Sequence, residues 1–338
     1  MKTDTLGEFE LINRLTRNIE KANKQVVVGI GDDCAVLPWK KDVYQLATCD
    51  VQVADVHFLP NIATPQHIGE KAIAVNASDI AAMGGTPTSC LVSLLLPKDI
   101  TTAYIDELYK GIVSSCKKYN IQIIGGNMSG GKQLAIDIFM LGEVHKEHVL
   151  LRSGAKAGDK VLVTGTLGDA AAGLAILQNQ HIQLLDKHKT KLLTRQFSPL
   201  PRLAEAAIIA QSKQATAMID ISDGLASDIQ HVCDQSDFGI ELWEEKIPIA
   251  VETIEVAKQV QRTPLSFALE GGEDYELLFT APPEAVDKII ATVQQETNAQ
   301  ITVIGEILPN KNNRYLRLKD GERKSLETQG WDHLKKQL

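Results

Sequence analysis

The sequence predicts a protein of two domains, each mixing helices and strands, on three observations. Its 338 residues suit one large domain or two of ordinary size. Strand-like and helix-like stretches alternate through the first half until the polar, glycine-containing segment HKEHVLLRSGAKAGDK. The pattern then starts afresh with KVLVTGTLGDAAAGLAILQ, which reads as strand, glycine turn and helix. These observations favour two domains, at residues 1–147 and 148–338.

Along the first half, Glu10 to Ile19 reads as an amphipathic helix. VVVGIGDDCAVL reads as a strand broken by a tight glycine turn that carries two aspartates, and VYQLATCDVQV as a second strand. Between Pro65 and Met83, the residues Ile68, Ala72, Val75 and Ile80 fall at near-helical spacing. Pro65 opens that helix and Gly84-Gly85 ends it. SCLVSLLLP is a buried strand and Ile105 to Tyr119 a helix. IQIIGG is a strand leading into a loop, NMSGGK, and LAIDIFMLGEV a further strand. In the second half AMIDISDGLASDIQHVC repeats strand, turn and helix, with Ser222 or Asp223 placed to cap the helix. Strands follow at GIELW, YELLFTA and ITVIGEI, and a helix at Pro283 to Thr297.

Composition narrows the function. The 43 acidic residues exceed the 35 basic ones, for a net charge of -8, and such a surface repels a phosphate backbone. Nucleic acid is therefore not an expected partner. Apolar runs such as CLVSLLLP fall far short of the roughly 20 residues that span a bilayer, so no membrane association is expected. The opening residues MKTDTLGEFELINRL carry acids where a signal peptide needs a basic end and an unbroken apolar stretch, which predicts a cytoplasmic location. Five scattered cysteines with no C-x-x-C pair argue against disulfides and zinc-thiolate sites.

Two phosphate-loop patterns fail on context. Gly126, Gly131 and Lys132 match G-x-x-x-x-G-K, but Gln133 stands where a hydroxyl is needed, and LAIDIFML alternates like a strand instead of opening a helix. GIGDDC begins as G-x-G and lacks the third glycine of a dinucleotide fingerprint.

What remains is a set of aspartates at turns or beside short strands: Asp32, Asp33, Asp50, Asp79, Asp220 and Asp223. Turns and helix caps account for many aspartates. Asp79 is harder to explain that way, because its spacing from Ile68, Ala72 and Val75 turns it toward the apolar face of a helix, beside Asn76. If these carboxylates converge, their repulsion calls for divalent cations. Magnesium fits oxygen ligands and substrate phosphates, so phosphoryl transfer ranks first by chemistry.

The ordered set GEFELI, GIGDDCAVL, TCDVQVADVHF, KAIAVNASDIAAMGGTP, IIGGNMS, LRSGAKAGD, VTGTLGDAAAGLAIL, IDISDGLASD, GGEDYELLFT and GWDHL resembles the thiamine-monophosphate kinase family almost end to end. That family lies in the superfamily of aminoimidazole ribonucleotide synthetase, HypE and selenophosphate synthetase. The resemblance implies an N-terminal mixed α/β domain that dimerises through its sheet, an α+β C-terminal domain, and nucleotide between them. It also implies a homodimer that uses several magnesium ions, with ATP as co-substrate. Asp33, Asp50, Asp79, Asp220 and Asp223 become magnesium ligands, with Thr48 and Cys49 beside Asp50. Gly126, Asn127, Arg152 and Ser222 become ATP contacts. Asn127 is also a metal position, standing where the family usually has aspartate. His57, Glu273 and Trp331 become contacts to thiamine monophosphate. Without the resemblance, His57 reads as a strand-end imidazole, Glu273 as a loop acid and Trp331 as an anchor for the C-terminus.

The implied reaction passes the γ-phosphoryl group of ATP in line to the phosphate of thiamine monophosphate. The acceptor oxygen is already ionised at neutral pH, so no general base is expected among the catalytic groups. Two rivals remain: an ATP-dependent synthetase of the same superfamily, and a magnesium- and nucleotide-binding protein without turnover.

Overall fold

A computed structural model describes residues 8–17, 19, 25–179 and 181–326. After a short helix α1 (Glu8–Thr16), the first half folds as β1 (Ala35–Lys40), β2 (Val43–Val53), α2 (Pro65–Ala82), β3 (Thr86–Pro97), α3 (Thr102–Lys118), β4 (Gln122–Gly131) and β5 (Ala135–His145). Its five strands lie in the order β1-β2-β5-β3-β4. Only β3 and β4 run parallel. The stretch VVVGIGDD contributes single bridges in place of a full strand, and the sheet begins at Ala35.

Helix α2 is the central element. Thr64 caps it by accepting from the His67 backbone N–H at 3.2 Å, with Pro65 in the first turn. It is buried nearly all round, as a helix does when sheet, neighbouring helix and second domain all pack on it. Burying Ile73, Val75 and Ile80 completely contributes roughly 1.5–3 kcal/mol each. The approach of α3 depends on Gly69 and Gly111. A Cβ on the first would meet the Leu108 carbonyl oxygen at 2.2 Å, and one on the second the Gln66 carbonyl oxygen at 2.0 Å.

The chain passes between His145 and Lys160 into a second sheet. There it forms β6 (Lys160–Thr164), α4 (Asp169–Gln178), α5 (Asp186–Phe197), α6 (Leu203–Gln211), β7 (Ala217–Asp220), α7 (Leu225–Ser236), β8 (Gly239–Trp243), α8 (Val251–Gln259), α9 (Pro264–Glu270), β9 (Leu277–Ala281), α10 (Pro283–Thr297), β10 (Ile301–Leu308), β11 (Arg314–Arg317) and β12 (Arg323–Ser325). The seven strands are ordered β12-β11-β8-β10-β6-β9-β7 and largely antiparallel, which makes this half α+β. Among the described residues no helix is long and apolar enough to cross a membrane.

Two local expectations are corrected. NMSGG is not a loop: residues 122–131 form an edge strand paired with β3 in register Ser93↔Asn127 and Leu95↔Ser129. Backbone pairing holds a segment whose glycines give no alternation to read. Neither Ser222 nor Asp223 caps α7. Gly224 is its N-cap, in a conformation (φ +109°) that suits glycine, and Asp228 reaches back to accept from the Asp223 and Gly224 N–H groups at 3.2 and 3.1 Å.

Candidate active site

The site forms where α2 meets the second domain. Strand β2 alternates, so Thr48 and Asp50 face α2 while Cys49 faces the other way. Thr48 Oγ1 donates to Asp79 Oδ2 at 2.6 Å, and the Asp50 N–H donates to Asn76 Oδ1 at 2.9 Å. One turn of α2 thus locks onto the strand. Beside Asp79, Ser78 donates to Asp220 Oδ2 at 2.5 Å, which ties α2 to the end of β7. Asp33 enters from the turn before β1 and is clamped by Arg152, whose Nε and Nη2 donate to its Oδ1 at 3.1 and 2.5 Å. The Arg152 backbone N–H bonds the Asp32 carboxylate.

Asp33, Asp79 and Asp220 each bring a carboxylate oxygen within 4.8 Å of the others. Burial and the neighbouring Asp50, Asp220 and Asp33 push the Asp79 carboxyl well above its ordinary pKa. Burial and then Asp33 raise Asp220 to about 7, and burial with Asp33 raises Asp32 to about 6. Burial also raises Asp33, a shift opposed by the Arg152 guanidinium. Asp33 Oδ2 is buried and has no hydrogen-bond partner among the described residues. An orphaned carboxylate oxygen among repelling carboxylates suits a hard divalent cation. Two oxygens sharing one magnesium at about 2.1 Å sit at most about 4.2 Å apart, which small side-chain shifts reach from this arrangement.

Next to the cluster lies a cavity of about 760 Å³ whose wall includes His57, Lys71, Phe197, Ser222, Glu273 and Tyr275. His57 Nδ1 accepts from the Val53 N–H at 3.1 Å, which leaves Nε2 to carry the proton of the neutral ring. Glu273 and Tyr275 both adopt left-handed backbone (φ +60° and +50°), a conformation costing a non-glycine residue on the order of 1–3 kcal/mol. Their N–H groups donate to the Ser222 and Ile221 carbonyls at 2.7 and 2.9 Å, which pins the loop. Glu273 Oε1 accepts from Lys71 Nζ at 2.5 Å, and Oε2 from Gln196 Nε2 at 2.8 Å. His67 stacks on Phe197 with ring centroids 5.4 Å apart.

The structure therefore brings together Asp33, Asp79 and Asp220, with Thr48 and Asp50 adjoining through Asp79, and gathers His57, Ser222 and Glu273 around one cavity. Asp223 sits by Asp228, whose pKa it helps to raise. Three expected contacts are not brought to the cluster. Cys49 points to the opposite face of the sheet, because the strand period is two and its neighbours on either side face α2. Gly126 and Asn127 lie on β4, separated from β2 by β5 and β3. Three strand spacings of about 4.8 Å put them roughly 14 Å away, and Asn127 shares a row with Ser93, Asp137 and Val51 on the outer face. Trp331 lies outside the described residues. The sequence reading overlooked Lys71 and Gln196. Lys71 carried a signal, a charged residue inside the buried stripe of α2 at i, i+4, i+8 with Val75 and Asp79. Gln196, in a polar helix, carried none.

Comparison with known proteins fits this architecture. The family described as AIR synthase related protein, N-terminal domain, matches residues 31–144, and its C-terminal counterpart matches residues 156–316. Two such domains with a carboxylate cluster at their junction define a protein of the AIR synthase-related class. Within that class the chain is 35% identical to thiamine-monophosphate kinase of Aquifex aeolicus (98% of this chain, 100% of that protein) and 37% identical to that of Escherichia coli K12 (97% and 98%). The chain belongs to the thiamine-monophosphate kinase family. The solved structure of AaThiL complexed with AMPPCP and TMP is similar at TM-score 0.85 and 35% identity, covering 98% of this chain and 99% of that one. Escherichia coli HypE, at 18% identity and TM-score 0.73 over 96% of this chain and 99% of its own, shares the fold.

Proposed function

We infer that the protein transfers the γ-phosphoryl group of ATP to the phosphate of thiamine monophosphate, giving ADP and thiamine diphosphate. The observation that carries this reading is the cluster of Asp33, Asp79 and Asp220, with its orphaned oxygen, set at the domain junction beside a cavity walled by His57 and Glu273. The AaThiL structure similar to this one holds a nucleotide analogue and TMP.

Asp33, Asp79 and Asp220, helped by Asp50, Thr48 and Asp223, are the residues that would hold magnesium. When bound, the metal neutralises phosphate charge and so lets two polyanions approach. The chain's own groups fix the geometry. Thr48 and Ser78 orient Asp79 and Asp220, and Arg152 holds Asp33 with two N–H groups, leaving its other N–H groups for a phosphate. Ser222 anchors the loop that presents Glu273. Because the attacking phosphate oxygen is already an anion, positioning and charge stabilisation suffice without a proton-abstracting residue.

The outer face of the first sheet supports pairing with a second copy. Val51, Leu91, Leu95 and Phe139 are exposed there, an apolar patch of the kind that marks an interface. Cys49 and Asn127 stand on the same face, so a cation using either would lie between two copies. The net charge of -8 disfavours nucleic acid as a partner.

Incubation of the full chain with ATP, magnesium and thiamine monophosphate tests the reading, with thiamine diphosphate as the expected product. ATP consumption that requires an amide acceptor would point to a synthetase, and binding of magnesium and ATP without consumption to a protein lacking turnover.

A further inference from the structure

Lys71 has no place in the carboxylate cluster, yet it is a charged side chain with only 5% of its surface exposed. A buried ammonium is costly unless partners hold it. Its Nζ donates to Glu273 Oε1 at 2.5 Å and to the His57 carbonyl at 3.4 Å. One group therefore grips two walls of the cavity, one from each domain. It sits on the helix that carries Asp79, eight residues earlier, which is about 12 Å along the axis. Nearby, Ser198 Oγ donates to Glu70 Oε2 at 3.0 Å, and further along Ser78 donates to Asp220. Helix α2 is thus fastened to the second domain at two levels, one beside the cavity and one at the carboxylate cluster.

We propose that Lys71 is a positioning residue for the acceptor substrate: it fixes the Glu273 carboxylate and the His57 segment against each other and so sets the shape of the cavity relative to the phosphoryl-donor site. The proposal rests on the reading of that cavity as the thiamine monophosphate site. Two roles for a lysine here predict opposite signs. If its charge alone mattered, removing it would leave Glu273 a bare carboxylate and tighten the binding of a cationic thiazolium. If its grip matters, removing it frees the carboxylate and the cavity wall, and binding weakens. The short ion pair, the second bond to His57 and the occupation of the other Glu273 oxygen by Gln196 all favour the grip.

The test uses the full chain as wild type, Lys71→Met, Glu273→Gln and the double variant. Calorimetric binding of thiamine monophosphate without ATP is measured beside steady-state kinetics and melting temperature. Lys71→Met is expected to weaken thiamine monophosphate binding at least tenfold and raise its KM in parallel, with the KM for ATP within twofold of wild type. In the Glu273→Gln background the same change is expected to cost less than a further twofold, because its action runs through Glu273. The double variant carries no buried unpaired charge, so it remains measurable should Lys71→Met fold poorly.

Unchanged or tighter binding in Lys71→Met, equal losses for both substrates, or losses that multiply in the double variant would each overturn the proposal. A wild-type chain that binds ATP but not thiamine monophosphate would sink the underlying reading, and it would show before any variant is compared.

Discussion

The two acidic regions joined by α2 solve the problem of buried charge in opposite ways. At the cavity, Glu273 meets a lysine and an amide from this same chain, and both of its oxygens are bonded. At the domain junction, Asp33, Asp79 and Asp220 crowd together, Arg152 hydrogen-bonds Asp33 alone among the three, and one oxygen has no partner among the described residues. The first region is electrostatically closed, whereas the second holds more carboxylates than counter-charge. A close ion pair inside the fold marks where the protein completes itself, and unrelieved repulsion marks where a ligand belongs.

The sharpest way to break this contrast is to remove one acid from each region. Asp79→Asn is nearly isosteric and deletes one of the repelling charges. Turnover is expected to fall by at least about a thousandfold, the scale of losing a main stabiliser of transition-state charge, while the melting temperature of the metal-free protein stays level or rises. Full activity at limiting magnesium, or a marked loss of metal-free stability, would show that the carboxylate is structural.

Glu273→Gln should act in the other direction on stability. It leaves Lys71 nearly buried with a weaker partner, and breaking a buried pair on one side is destabilising. Because Glu273 is itself about a quarter exposed and glutamine still accepts a hydrogen bond, a loss of about 1–2 kcal/mol is expected, roughly one to three degrees in melting temperature for a chain of this size. A melting temperature equal to wild type would mean that the pair is open to water.

The difference between the two regions was only half visible in the sequence. The aspartates were legible because they punctuate turns and strand ends, and Asp79 because helical periodicity turned a charge inward. Pairing across the domains was not legible, since Lys71 and Glu273 lie 202 residues apart. Most elements followed from period and punctuation, including α2 and α10. Strand β4 did not, because glycines give no side-chain alternation and its strand state comes from β3. The polar helix α5, DKHKTKLLTRQF, lacks an apolar stripe broad enough to read, although it delivers Gln196 to the cavity.

A pH series sharpens the contrast further with a smaller effect. The folded-state pKa values of Asp220 and Asp32 are raised to about 7 and about 6, above the unfolded value near 3.9. Each group therefore binds protons more tightly when folded. Its stabilising contribution is complete below about pH 4 and is lost as pH rises through about 6 and then 7. Without metal, the melting temperature is expected to decline across that window, and to decline less in Asp79→Asn. Magnesium should raise it more at pH 8 than at pH 5, since protons compete for the same oxygens. A magnesium shift independent of pH would contradict the cluster as the binding site. The Lys71–Glu273 pair supplies its own counter-charge and should contribute nothing to the magnesium response.

The smallest expected effect belongs to Asn127, on the outer face of the sheet. Within one chain it lies roughly 14 Å from β2 and on the far side from α2. A charge placed there interacts with the cluster by only about 0.3 kcal/mol in water, and less once salt screens it, because the separation exceeds the Debye length of about 8 Å. Asn127→Asp in an isolated chain should thus leave the magnesium requirement unchanged. If two copies pair through that face, the new carboxylate lies at their junction and adds a charged oxygen ligand where an amide stood. The half-maximal magnesium concentration is then expected to fall about two- to threefold at protein concentrations where the chain is dimeric, and to return to the wild-type value on dilution to monomer. A titration at several protein concentrations, with mass measured by light scattering, reads both quantities together. A fall that persists in the monomer would mean that β4 approaches the cluster within a single chain, and a dimer with an unaltered requirement would remove Asn127 from the metal site.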